Sequence, residues 1–367
     1  ELPCGATLKN RLGKSAMSET LGTTDNRVTA KLTRLYRAWA RGGTGLSVTG
    51  NVMIDRRALG EPCNVVLEDR RDMDRLKAWA RAGRENGTHL WMQINHPGKQ
   101  APAALNRETV SPSAVPFSDP NLKRFFHVPR ALTVAEIEDL VRRFGETAAL
   151  AKEAGFSGVQ IHGAHGYLVS QFLSPRHNRR EDAYGGSAEN RRRFVLEVYD
   201  EIRRRVGGDF PVSIKLNSAD FQKGGFTEEE SLAVVEALDA RGIDLIEISG
   251  GTYEAPRMAG QGQRESTRRR EAYFLSYAEQ VRSRVKVPLM VTGGFRSREG
   301  MAAALEDGAT DVIGLARPLV LDPAFSNRLL AGEDAVSAVA PIRTGIRAVD
   351  NAAMMEVSWY TLQLARI

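Results

Sequence analysis

The chain alternates, eight times over, between a short β-branched or apolar segment and a longer stretch of helical periodicity. This is the signature of βα units feeding a parallel sheet, and it limits the fold more than any other feature. Strands are expected near 12–17, 45–50, 89–95, 158–162, 211–216, 244–249, 287–292 and 311–316, and helices near 26–41, 69–86, 133–154, 188–206, 227–241, 271–284, 297–307 and 322–331. The punctuation agrees. Thr133, Ser187 and Thr227 stand as N-caps before segments with acids or amides in the first turn, and Gly155, Gly242 and Gly308 follow helix ends. Eight such units predict a closed (β/α)8 TIM barrel. An open doubly wound sheet is the alternative, but no GxGxxG follows the first strand.

A length of 367 residues corresponds to roughly 2.4 average domains, yet no repeat or low-complexity linker divides the chain. The expected organisation is one barrel over 1–332 and a helical C-terminal extension over 333–367, with Trp359 and Tyr360 available for packing. Residues 97–132, rich in Pro, Ser and Asn, form a long loop after the third strand, and such loops are commonly functional. With 42% hydrophobic and 26% charged residues, the chain is neither disordered nor fibrous. No apolar run approaches the ~18 residues of a membrane span, so no membrane partner is expected. Two cysteines, Cys4 and Cys63, cannot build a disulfide framework or a Cys-ligated iron–sulfur cluster. No basic-then-apolar leader follows Glu1, and a reducing cytoplasm is the expected compartment. The net charge of +6 comes with arginine runs at 191–193, 203–205 and 268–270, read as solvated helix faces because acids alternate with them.

Parallel strands buried on both faces should be almost uniformly apolar, and these are not. Ser47 and Thr49 alternate with Leu46 and Val48, Gln93 and Asn95 with Met92 and Ile94, and Gln160 and His162 with Val159 and Ile161. Likewise Ser213 and Lys215 alternate with Val212 and Ile214, and Glu247 and Ser249 with Ile246 and Ile248. The apolar sets should face the helices and the polar sets the barrel interior, toward the strand ends where barrel active sites lie. Burying Gln93, His162 and Lys215 is costly unless a polar occupant fills the space or the layer satisfies itself. A Gly-Gly turn in VTGGF (291–295) and Arg317 in GLARP (314–318) fall at the last two strand ends, the usual phosphate site of such barrels. In HGAHGY, His162, His165 and Tyr167 can act as acid–base groups or hydrogen-bond a carbonyl oxygen. A metal would need a third ligand, for which only His177 is near, so none is expected.

At these residues the sequence resembles the old yellow enzyme family of FMN-dependent ene reductases, over about residues 8–330. The most specific stretch is QIHGAHGYLVSQFLSPRHNRREDAYGGSAENRRRF (160–194), supported by LKNRLGKSAMS (8–18), WMQINHPGKQ (91–100), IKLNSADF (214–221), ISGGTYE (248–254) and REAYFL (270–275). The resemblance implies that Ala16, Met17 and Ser18 lie along the isoalloxazine edge, and that Gly50 and Gln93 meet the flavin pyrimidine. Lys215, where many relatives carry arginine, would lie at flavin N1 and O2. Gly294, Ala316 and Arg317 would hold the FMN phosphate. His162 and His165 would grip a substrate carbonyl oxygen, and Tyr167 would donate the proton. The implied activity moves hydride from NADH or NADPH through FMN to the C=C bond of a small enone-like substrate. Two other readings remain: a dihydrouridine synthase-like FMN barrel, which lacks a cysteine at a suitable strand end, and a flavin-binding barrel without catalysis. No nucleic-acid partner is expected, and a homo-oligomer is left open.

Overall fold

A computed structural model describes residues 1–255, 274–337 and 354–367. The arginine run at 268–270, most of REAYFL and the 338–353 part of the extension lie outside the described residues. The parallel strands β1 (Leu12–Lys14), β2 (Leu46–Val48), β3 (His89–Asn95), β4 (Gly158–Gly163), β5 (Val212–Asn217), β6 (Leu245–Ser249), β7 (Leu289–Thr292) and β8 (Val312–Leu315) pair in chain order. Pairing of β8 with β1, Leu12 against Ile313, closes the ring into the expected (β/α)8 barrel. Helices α1 (Ala30–Arg41), α2 (Met73–Gly83), α3 (Val134–Glu153), α4 (Ala188–Val206), α5 (Glu228–Asp239), α6 (Leu275–Arg282), α7 (Arg298–Glu306) and α8 (Phe325–Leu330) follow the strands in turn.

Local chemistry sets the helix ends. Thr133 with Glu136, and Thr227 with Glu230, form reciprocal capping boxes, while the Ser187 side chain accepts from the Asn190 N–H. The helix expected from residue 26 begins only at Ala30, because the Thr29 side chain caps it by accepting from the Leu32 N–H.

Strand parity decides what fills the barrel. On β3 to β6 the polar sets do point inward, as their pattern predicts. On β2 the expectation is reversed. Val48 pairs with Trp91 and joins Leu46, Trp91, Leu245, Met290 and Val312 in an apolar plug inside the barrel. Ser47 instead pairs with Leu90, whose side chain packs in the main core beneath the helices. Composition misleads at β2 because the plug needs large apolar side chains at the strands' N-terminal ends, and Leu46 and Val48 supply two of them. Leu2 closes the same cluster. The C-terminal helix Met354–Leu364 buries Tyr360 and Leu364 in the main core. No helix among the described residues is long and apolar enough to cross a membrane.

Candidate active site

Above the apolar plug lies a polar layer. Gln93 Nε2 donates to Gln160 Oε1 (2.8 Å), and Gln160 Nε2 donates to Glu247 Oε2 (2.8 Å). Glu247 Oε1 accepts from Thr292 Oγ1 (2.6 Å) and from the Ser15 hydroxyl. Lys215 Nζ stands 3.1 Å from Glu247 Oε1 and donates to Ser15 Oγ (2.8 Å). Burial opposes the charge on Glu247, but Lys215 and the donors Ser15, Thr292 and Gln160 outweigh it and hold its pKa below the ordinary carboxylate value. Much of the layer therefore satisfies itself. Lys215 has a counter-ion that the sequence reading did not assign, although both residues sit on the inward parity of paired strands.

At the C-terminal mouth the HGAHGY residues converge. The buried His162 is the next-to-last residue of β4, with its ring 5.3 Å from that of His165 and 4.7 Å from that of Tyr167. Its Nδ1 faces the Ala164 N–H at 3.4 Å, which leaves the proton of the neutral ring on Nε2. His165 adopts a left-handed backbone (φ 61°), its N–H donates to Asn217 Oδ1 (3.1 Å), and its Nε2 lies 2.8 Å from Ser249 Oγ. Tyr167 Oη is 2.9 Å from Tyr253 Oη. Burial, then the charges of His165 and Lys215, push His162 well below its ordinary value; burial and Lys215 lower His165 to about 3. Both rings are thus neutral donors near pH 7. Burial first, and then Tyr253, raise Tyr167 well above 10, so its phenol keeps its proton.

These depressions have a consequence for acid stability. His96 (to about 4) and His177 (to about 3) are lowered as well, both mainly by burial. A histidine whose folded pKa lies below the unfolded value of about 6.5 contributes its full stability above pH 6.5. That contribution is lost as the pH falls toward the folded value, because the unfolded chain then binds more protons. The urea midpoint should therefore fall steadily from pH 7 to pH 5. A flat profile would mean that these rings protonate in the folded protein.

The other expected residues are distributed as follows. Ala16, Met17 and Ser18 leave β1 half-buried, and Ser18 Oγ accepts from Asn51 Nδ2 (3.3 Å). The Gly50 N–H is already donated to Glu19 Oε1 and Tyr36 Oη, both at 3.0 Å. Gly294 follows β7 beside Gly293, with φ of 98° and 117°. Ala316 precedes Arg317, which opens the short helix Arg317–Leu321 beyond β8. His177 belongs elsewhere, its Nδ1 3.0 Å from Lys99 Nζ. Sequence reasoning missed Tyr253, which could have been found as the aromatic in the loop after β6, on the catalytic end of any barrel. It also missed Lys14, which is fully buried between β2 and α1. Lys14 donates to Val48 O (2.7 Å) and Tyr36 Oη (3.1 Å) and lies over the Trp39 ring at 4.4 Å. Burial, opposed mainly by Glu19, lowers it to about 8.

The family model described as NADH:flavin oxidoreductase / NADH oxidase family matches residues 4–334. The NADH-dependent flavin oxidoreductase iliE of Hypocrea jecorina is 38% identical over 345 residues, covering 88% of this chain and 85% of its own. Among solved structures, a 2-naphthoyl-CoA reductase in complex with 2-naphthoyl-CoA superposes with a TM-score of 0.83 at 28% identity, over 90% of this chain and 52% of that one. The old yellow enzyme homologue of Zymomonas mobilis shares the fold with a TM-score of 0.76 at 24% identity, over 91% and 92% of the two chains. With the family model matching residues 4–334 and the barrel shared over most of its length, the chain belongs to the NADH:flavin oxidoreductase / NADH oxidase family, that of old yellow enzyme, whose cofactors are FMN and NAD(P)H.

Proposed function

We propose that the protein is an ene reductase, reducing the C=C bond of an α,β-unsaturated carbonyl or similarly electron-poor alkene. The observation that carries this reading is the convergence of His162, His165 and Tyr167 on one strand end, all held neutral.

The chain's donor set fits FMN. An ammonium has three N–H donors; Lys215 gives one to Ser15 and points another at Glu247, which leaves a third for a ring oxygen or nitrogen. Gly293 and Gly294, with no Cβ and left-handed backbones, can bring amides close to a phosphate, and Arg317, just past the end of the paired strand β8, can supply charge. In this reading Ala16, Met17, Ser18 and Gln93 line the ring system, and Ala316 joins Gly294 and Arg317 at the phosphate. Gly50 would contribute through its backbone surface, since its N–H is already used. When bound, FMN supplies the hydride relay between NAD(P)H and the alkene.

The protein's own part is polarisation and proton supply. Imidazole N–H groups of His162 and His165 hydrogen-bond the carbonyl oxygen and stabilise the negative charge that develops there. For His165 this requires the ring to use Nδ1 or to exchange its Ser249 contact. Tyr167 holds its proton until the α-carbon of the substrate becomes basic, then donates it. Tyr253, hydrogen-bonded to the Tyr167 oxygen, orients the phenol and stabilises the phenolate left behind. Tyr253→Phe should slow enone reduction roughly fivefold, the worth of one neutral hydrogen bond, and an unchanged rate would remove Tyr253 from the mechanism.

The reading as a whole is tested by recording the visible spectrum of the purified protein, titrating it anaerobically with NADH and with NADPH, and then adding 2-cyclohexenone. Bleaching by a nicotinamide followed by reoxidation with enone supports it. Bleaching without reoxidation leaves a flavin reductase with another acceptor.

A further inference from the structure

One buried amide joins the two halves of the mouth. Asn217 is the last residue of β5 and is 1% exposed. Its Oδ1 accepts the His165 N–H (3.1 Å), and its Nδ2 donates to the Gly251 carbonyl (3.0 Å), with a longer reach to Asp220 Oδ1 (3.4 Å). Gly251 lies two residues before Tyr253 in the loop after β6. Only one orientation of the amide serves both partners, because an N–H must meet its oxygen and a carbonyl its NH2 group. One rigid side chain therefore ties the turn after β4 to the loop that carries the phenol partner of Tyr167.

The His165 backbone needs such a clamp. Its φ of 61° lies in the left-handed region, which a residue with a Cβ holds only where its surroundings fix it. Asn217 fixes the peptide from the N–H side, and Gln100 Nε2 fixes it from the carbonyl side (3.2 Å). Ser249, opposite Asn217 in the β5–β6 register, holds the ring at Nε2 (2.8 Å). Thr252, between Gly251 and Tyr253, forms a parallel bridge with His165. The backbone angles at Cα set where Cβ points, so releasing the peptide re-aims the imidazole. We propose that Asn217 is a positioning residue, which holds His165 and the Tyr253 loop in one fixed relation so that the oxygen grip and the proton supply stay aligned on the same substrate. This role rests on the substrate site proposed above and adds the group that aligns its two parts.

Asn217→Ala removes both bonds and leaves His162, His165, Tyr167 and Tyr253 in the chain. The FMN-loaded protein is titrated calorimetrically with p-cresol, whose oxygen the imidazoles can grip as they would a carbonyl. It is also reduced by titration with dithionite, then mixed with 2-cyclohexenone in the absence of air or with dioxygen, which reoxidises a reduced flavin without an imidazole grip. Misplacing a contact group by an ångström can cost about a hundredfold, so p-cresol affinity and enone rate should each fall at least about tenfold, while the dioxygen rate stays within about twofold. A dioxygen rate that falls as far as the enone rate overturns the inference, because the flavin site itself has then changed. Unchanged p-cresol affinity and enone rate overturn it as well, and leave the histidine–tyrosine site standing. Should Asn217→Ala lose FMN, Asn217→Ser, whose shorter hydroxyl cannot span both partners, replaces it with the same expectations. Loss of FMN from that variant too would make Asn217 a structural part of the barrel, against the inference. If the unaltered protein neither binds p-cresol nor is reoxidised by the enone, the substrate site itself fails and this role fails with it.

Discussion

Tyr167→Phe should slow reoxidation of the reduced protein by 2-cyclohexenone roughly 10²–10⁴-fold, the range for a lost general acid, while reduction by NAD(P)H changes far less. The asymmetry follows from where the phenol stands. Its oxygen is tied to Tyr253 at 2.9 Å and its ring packs 4.7 Å from that of His162, so in the proposed reaction the proton would be delivered beside the group that polarises the carbonyl. Phenylalanine keeps the ring and its packing and removes the hydroxyl that carries the proton, together with its contact to Tyr253. Nicotinamide oxidation needs no proton at that point, so rapid mixing of each half-reaction should assign the loss to one of them. Enone reoxidation at the unaltered rate would remove Tyr167 from the acid role and hand it to solvent or another group.

Lys215→Met is expected to be the most destabilising single change in the site, at about 3–5 kcal/mol, because it strands a buried carboxylate. Lys215 is 3% exposed and Glu247 fully covered. Loss of the ammonium leaves Glu247 charged among Ser15, Thr292 and Gln160, which donate hydrogen bonds but cannot neutralise it. The double variant Lys215→Met/Glu247→Gln should recover most of the loss, since an amide can keep part of those contacts without the charge. FMN affinity should not recover with it, because the cation proposed for flavin N1 and O2 is absent from both variants. Urea unfolding and FMN retention, measured on the same samples, therefore separate the structural role of Lys215 from its role toward the cofactor. If the single variant unfolds like the unaltered protein, the Lys215–Glu247 pair is not a buried ion pair in solution. If the double variant binds FMN normally, the cation is not needed at the ring.

Several features of this architecture are local and could be read along the chain. The eight strands, the helix caps at Thr133, Ser187 and Thr227, and the left-handed turns at Gly155, Gly242 and Gly308 depend on residues a few positions apart. The clustering of His162, His165 and Tyr167 was legible for the same reason: a strand end and the turn after it bring such neighbours together whatever the rest of the fold does. The parity of β2 was not legible. Ser47 and Leu46 alternate as the other strands do, and only the registers with β1 and β3 decide which of them faces the plug.

The pairing of Lys215 with Glu247 and the contact of Tyr167 with Tyr253 join residues 32 and 86 positions apart. By itself the sequence determined the repeating unit, its caps and the chemistry available at each strand end. The tertiary structure decided which of those groups share charge, because closing the barrel sets strand register, and register alone brings side chains from separate βα units within hydrogen-bonding distance.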